Sequence, residues 1–111
     1  MMSADRDPSA ELGRFAEPAM LVLVSLSGGP RHGYAIMADV EAFSAAPLGP
    51  GTLYAVLARL EQAGLIEPMA ADDRRRPYRI TDAGRASLGA QLDRMDRFLA
   101  LGRARARRAA E

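Results

Sequence analysis

The stretch Leu48-Gly49-Pro50-Gly51-Thr52-Leu53-Tyr54-Ala55-Val56-Leu57-Ala58-Arg59-Leu60-Glu61-Gln62-Ala63-Gly64-Leu65-Ile66 decides how the chain is read. Pro50 suits the opening position of a helix, where its missing N–H costs nothing. At about 100° per residue, Leu53, Val56, Leu57, Leu60 and Gly64 project within about 60° of one direction and form a core face. The opposite face is Gly51, Ala55, Ala58 and Gln62, flanked by Thr52, Tyr54 and Arg59. Its first turns are small and carry no charge.

Downstream, Leu65-Ile66-Glu67 and Tyr78-Arg79-Ile80 read as extended, and the polar segment between them holds Asp72, Asp73, Arg74, Arg75 and Arg76. Two short strands about a charged loop make a β-hairpin. Thr81 is a good N-cap, and Asp82 stands at the positive end of the helix that follows. That fourth helix is expected to run to about Arg103, with Leu88, Leu92, Met95 and Leu99 spaced as in a heptad seam and Phe98 and Leu101 beside it. So small a body cannot cover that much apolar surface, and a second copy of the helix is the obvious cover. Arg103, Arg105, Arg107 and Arg108 complement the helix C-terminus and are expected to fray beyond it.

Upstream, Ala35, Ile36, Val40 and Phe43 recur at helical spacing from about His32 to Phe43. Before that, Pro18 to Ser27 is apolar nearly all the way round, which predicts a helix buried on most sides, stopped by Gly28-Gly29-Pro30. Glu11 to Phe15 suggests a short turn of helix, and the polar residues before it a loose arm. Three helices, a hairpin and a long helix are the order of a winged helix-turn-helix followed by an extra helix. The expected class is mainly α with a small β-hairpin (α+β). A flexible arm (1–10), a winged body (11–81) and a C-terminal dimerisation helix with a basic tail (82–111) divide it.

Composition excludes several chemistries. The chain has 111 residues, which is one domain, with 49% hydrophobic and 26% charged residues, the balance of a globular protein. It lacks cysteine, so disulfides, Fe–S clusters and thiol nucleophiles are ruled out. All 15 basic residues are arginine, which removes the P-loop and the Schiff-base lysine. His32 is the sole histidine, so no multi-histidine metal site forms within one chain. Neither a cofactor nor a metal is expected. The longest apolar run, Ala19 to Leu26, is far short of the roughly 20 residues that span a bilayer, and an acidic stretch precedes it where a signal peptide needs positive charge. A cytoplasmic protein with no membrane partner is expected. The net charge of +1 is uneven: four basic against seven acidic residues through Ile66 give −3, and eleven against seven from Glu67 onward give +4. That asymmetry hints at a polyanion.

Four motifs in order carry a resemblance: Gly29-Pro30-Arg31-His32-Gly33-Tyr34; Leu48-Gly49-Pro50-Gly51-Thr52-Leu53-Tyr54; Leu57 through Leu60-Glu61 to Gly64-Leu65-Ile66; and Tyr78-Arg79-Ile80-Thr81-Asp82-Ala83-Gly84. Over roughly Pro18 to Leu101 the chain resembles the PadR family of bacterial transcriptional regulators, in the short form with a single C-terminal helix. The resemblance implies a homodimeric winged-helix DNA binder, usually a repressor, that dimerises through that helix. Two positions depart from the family pattern: Gly49 stands where a serine is common, and Ala55 where a larger side chain often follows the tyrosine.

On this basis the expected DNA-binding residues are His32, Tyr34, Gly49, Pro50, Gly51, Thr52, Tyr54, Ala55, Arg59, Arg74, Arg75, Arg76, Tyr78 and Arg79. The expected dimerisation residues are Leu88, Leu92, Met95, Phe98 and Leu99. Arg74, Arg75, Arg76 and Arg79 put four guanidinium groups on or beside the hairpin, where they can grip phosphates or enter a narrow minor groove, with Asp72 and Asp73 offsetting half that charge. A charge run on a turn is otherwise a solvated loop. Thr52 and Ala55 offer methyl groups to thymine, and Tyr54 is better placed for the sugar-phosphate chain. His32 either caps helix two or bonds a phosphate; a pH sensor or lone metal ligand is the lesser reading. Tyr34 is either core with its hydroxyl at the rim or a phosphate contact.

The expected function is a sequence-specific DNA-binding regulator, a ligand-responsive repressor acting as a homodimer on double-stranded operator DNA. A flat apolar or aromatic effector is a further expected partner, lined by Met20, Met95 and Phe98. The alternative is a winged-helix protein-interaction module without DNA affinity. Ser25, His32 and Asp39 assemble an enzyme only on paper, since nothing at their spacing orients a nucleophile or builds an oxyanion hole.

Overall fold

The computed structural model describes residues 18–44 and 47–110; the expected arm and the turn at Glu11 to Phe15 lie outside them. The chain runs α1 (Pro18–Ser27), β1 (Arg31–His32), α2 (Gly33–Phe43), α3 (Pro50–Gln62), β2 (Ile66–Pro68), β3 (Pro77–Ile80) and α4 (Asp82–Ala110). This is the expected winged helix-turn-helix with a long final helix, with one strand more than the hairpin. The two residues of β1 pair antiparallel with β3, giving a sheet of order β1-β3-β2.

The core forms where α1 meets α2, α3, α4 and β3, which is why α1 needs apolar residues on most sides. Val22, Leu23 and Leu26 from α1 pack with Ile36 and Val40 of α2, Leu53, Val56, Leu57 and Leu60 of α3, Ile66 and Ile80 of the sheet, and Leu88 of α4. Each large side chain buried there contributes about 1.5–3 kcal/mol relative to exposure. Phe43, which the helical spacing groups with Ile36 and Val40, is half-exposed at the last residue of α2. Gly64 is not on the core face. The helix stops at Gln62, and Gly64 takes φ +77° in a turn where Leu65 N–H donates to Leu60 O at 2.9 Å and Gly64 N–H to Glu61 O at 3.0 Å. That left-handed position favours glycine and satisfies the last carbonyls of α3.

The first turns of α4 are fastened to the end of α3. Thr81 Oγ1 donates to Gly64 O at 2.7 Å and accepts from Gly84 N–H at 3.0 Å, so it caps the helix and ties it down together. Gly84 lies so close to the backbone of Leu65 that a Cβ there would stand 2.1 Å from Leu65 O. Only glycine lets α4 pack this tightly.

Two expectations about α4 are corrected. It continues past Arg103 to Ala110, because Arg103 to Ala110 contains only arginine and alanine, both strong helix formers, with no breaker. The basic tail is therefore helix, not fray. Leu88 belongs to the core of its own chain, because the first turns of α4 lie against α1 and β3. Beyond it, Leu92, Met95, Phe98, Leu99 and Leu101 are exposed. Among the described residues, no helix is long and apolar enough to cross a membrane.

Candidate nucleic-acid interface

Gly49 is the N-cap of α3 and has no side chain to give its first amides, while Leu53 N–H reaches Gly49 O at 2.9 Å. A Cβ at Gly49 or Gly51 would meet nothing within 4 Å. Packing does not demand these glycines, and the first turn of α3 presents bare backbone outward. Thr52, Tyr54 and Ala55 are exposed around it, with Tyr54 at 56%.

The tyrosine ring is seated on the start of α2. A Cβ on buried Gly33 would come within 3.0 Å of the Tyr54 hydroxyl and 3.3 Å of its Cζ. Absence of that carbon lets α2 and the tyrosine meet. Tyr34 is 74% exposed, so the core reading for it fails and its ring stands at the surface. Together, His32, Gly33, Tyr34, Tyr54, Arg74, Arg75, Arg76 and Tyr78 line one groove of about 430 Å³ between the wing and the start of α2 and α3.

The wing between β2 and β3 ends in a two-residue turn. Asp72 and Arg75 exchange backbone hydrogen bonds of 2.7 and 2.8 Å, and the central Asp73 and Arg74 take φ of 47° and 69°. Positive φ at both centres is the type I′ form of a two-residue hairpin turn, and neither residue here is glycine. Arg74, Arg75 and Arg76 are exposed, and the ion pairs among the described residues, Arg31 with Asp39 at 3.7 Å and Arg79 with Glu67, do not involve them.

Arg79 is the one wing arginine that the structure sets apart. Strand residues alternate between faces, so Arg79 points opposite to Tyr78 and meets its cross-strand partner Glu67. It lines a different hollow, with Glu67, Thr81, Asp82 and Arg85. The pair is exposed at the surface, and Arg79 does not join the groove of Arg74 to Arg76. Arg59 also lies apart, on the far edge of α3 beside Pro18 and Ala19.

His32 takes the capping role at one end of its ring. Its Nδ1 accepts from Ala35 N–H at 3.4 Å as the N-cap of α2, while Nε2 lies 3.4 Å from Arg75 Nη1. Spacing alone did not reveal that the wing folds back onto this histidine. Neighbouring Arg31 donates from Nε to Ser25 O at 3.2 Å and pairs with Asp39, linking the end of α1 to α2. Ser25, His32 and Asp39 form no nucleophile–base pair: Ser25 is buried with Oγ unpartnered, and Asp39 is engaged by Arg31. No group of three metal-ligating side chains occurs among the described residues. Of the residues read as effector lining, Met20 packs partly buried against the core, and Met95 and Phe98 stand exposed on α4.

The family model described as "Transcriptional regulator PadR-like family" matches residues 22–90. An uncharacterized 37.1 kDa protein in transposon TN4556 of Streptomyces fradiae is 46% identical over 85 residues, which are 77% of this chain and 25% of that protein. The transcriptional activator GvpE2 of Halobacterium salinarum is 35% identical over 72 residues, 65% of this chain and 36% of that protein. The chain thus spans about a quarter to a third of the length of these curated relatives. Among solved structures, a PadR family transcriptional regulator from Eggerthella lenta DSM 2243 superposes with a TM-score of 0.66 at 32% identity, covering 84% of this chain and 79% of that one.

Proposed function

The chain belongs to the PadR-like family of transcriptional regulators, and from that premise we propose that it acts in the cytoplasm as a homodimeric, sequence-specific binder of operator DNA. The observation that carries the reading is the single groove that gathers Arg74, Arg75 and Arg76, free of carboxylate partners among the described residues, with Tyr54 of α3 and Tyr34 of α2, while Gly49, Pro50, Gly51, Thr52 and Ala55 lie outside its lining. Bare amides and small side chains suit close approach to base edges, and unpaired guanidinium groups suit phosphates. Tyr54 is the anchor and Thr52 the reader. Arg79 stands apart from this set, since it pairs with Glu67 and lines a different hollow. DNA flanking the protein's own gene is expected to bind more tightly than a random duplex of equal length; equal affinity for both contradicts sequence-specific recognition.

Residues 82–111 are proposed as the dimerisation element of a winged body formed by 11–81. Leu92, Met95, Phe98 and Leu99 lie exposed along a helix that needs a cover, and a second copy supplies an identical stripe. Light scattering at micromolar concentration is expected to give a dimer, and Leu92→Glu, which sets two charges in an isologous contact, a monomer. A monomer for the unmodified protein contradicts this assignment. The finer proposal is repression by occupancy, relieved by a flat apolar effector held at the seam between paired α4 helices, with Met20, Met95 and Phe98 as its lining. Deleting the gene is then expected to raise transcription from the bound promoter, and a fall would make the protein an activator.

A further inference from the structure

We infer that the sole histidine works at both ends: Nδ1 holds α2, while Nε2–H, beside the Arg75 guanidinium, donates to one phosphodiester of the DNA backbone. The inference rests on the DNA-binding reading and assigns it a specific contact. Nδ1 accepts from Ala35 N–H at 3.4 Å. A ring nitrogen that accepts carries no hydrogen, so the neutral imidazole bears its hydrogen on Nε2. Arg75 Nη1 lies 3.4 Å from that Nε2, and a guanidinium has donors only. Arg75 can donate to Nε2 only in the other tautomer, which gives up the cap; in the capping tautomer the two groups cannot satisfy each other. Their contact sets two donors side by side, and the arrangement is completed by an acceptor placed across both, best of all an anionic oxygen.

The surroundings select the kind of anion. Tyr34, Tyr54, Arg74 and Arg76 line the same groove, so phenol hydroxyls and two further cations flank the donor pair. Asp72 and Asp73 border the adjoining hollow with His32 and Arg75, yet neither forms an ion pair with Arg75 among the described residues. Tyr54 belongs to the first turn of α3, so a phosphate on His32 and Arg75 sits directly beside the groove that α3 enters. That is the position of a backbone phosphodiester, with the fixed tautomer as the device that keeps Nε2–H turned toward it.

Because the chain has one histidine, its imidazole signals in nitrogen NMR spectra identify themselves. In mildly alkaline buffer the free protein is expected to show the Nε2–H tautomer, and this signal to move when a random-sequence duplex is added. An Nδ1–H tautomer, or a signal that the duplex leaves in place, overturns the inference. Inorganic phosphate is expected to move it little; a shift equal to that from the duplex marks a free-anion site and overturns the assignment to DNA. Two variants separate the ends of the ring. His32→Asn keeps an acceptor for the cap but ends short of Arg75, so an unchanged melting temperature and about tenfold weaker duplex binding are expected. His32→Gln keeps an amide donor near the place of Nε2 and gives up the cap, so a melting temperature lower by roughly 4 °C with nearer-normal affinity is expected. If His32→Asn binds the duplex as tightly as the unmodified chain, the ring serves only the cap. Failure of the unmodified protein to bind any duplex overturns the DNA-binding reading itself, before the variants are compared.

Discussion

The two elements that border the groove, α3 and the wing, solve opposite problems. Helix α3 is held by four buried side chains, opened by Pro50 and closed by the left-handed Gly64, and its outward first turns are uncharged and, Tyr54 apart, small. The wing has three consecutive exposed arginines and a tip made of two non-glycine residues in left-handed backbone. The rigid element contributes shape with almost no charge; the charged element contributes attraction without a core of its own. Sequence preference is therefore expected to reside in α3 and sequence-independent affinity in the wing, and the two can be separated by mutation.

The largest effect is expected from removing wing charge. Arg75→Ala combined with Arg76→Ala should weaken binding at least tenfold, equally on cognate and random duplexes, because phosphates carry no sequence information. A loss confined to cognate DNA would mean that the wing reads bases, and the contrast with α3 would collapse. Arg74→Gly tests the tip from both directions. Glycine adopts the left-handed backbone of Arg74 without strain, so stability should rise by about 1 kcal/mol while DNA affinity falls with the lost charge. An unchanged melting temperature would show that the tip stores no strain.

On the α3 side, Tyr54→Phe keeps the ring on Gly33 and removes only the hydroxyl. A loss of roughly 1 kcal/mol in DNA binding at constant melting temperature is expected. Normal binding with a lower melting temperature would assign the hydroxyl to the body instead. The smallest effect belongs to Thr52→Val, which keeps shape and methyl. It should change the ranking of operator variants more than overall affinity; a uniform loss across variants would make Thr52 a phosphate contact like the wing.

Much of this was legible in the residues. Prolines 18 and 50 open α1 and α3 where expected, the hairpin follows Gly64, and Thr81 caps α4. What the sequence could not disclose depends on partners distant in the chain. Strand β1 is two residues long, too short for any period to register, and exists only because β3 lies beside it. The heptad spacing of Leu88 with Leu92 is blind to whether the cover comes from the same chain or another, and the body takes Leu88. Arg79 looked like a fourth wing cation because it follows Arg74 to Arg76, but cross-strand register hands it to Glu67. The close packing of Gly33 on Tyr54 joins residues 21 positions apart, and a lone glycine at a helix start gives no hint of it.

The central claim, that this groove binds nucleic acid through unpaired guanidinium groups, is tested most directly by the salt dependence of binding. Each phosphate neutralised releases condensed counterions, and the logarithm of the binding constant falls with the logarithm of salt concentration by about 0.9 per contact on duplex DNA. With Arg74, Arg75 and Arg76 each on a phosphate, the unmodified protein titrated with a random-sequence duplex should give a slope of at least about −2.7. A binding curve that ignores salt, or no binding at low salt, would contradict the account and leave the winged body as a protein-interaction module.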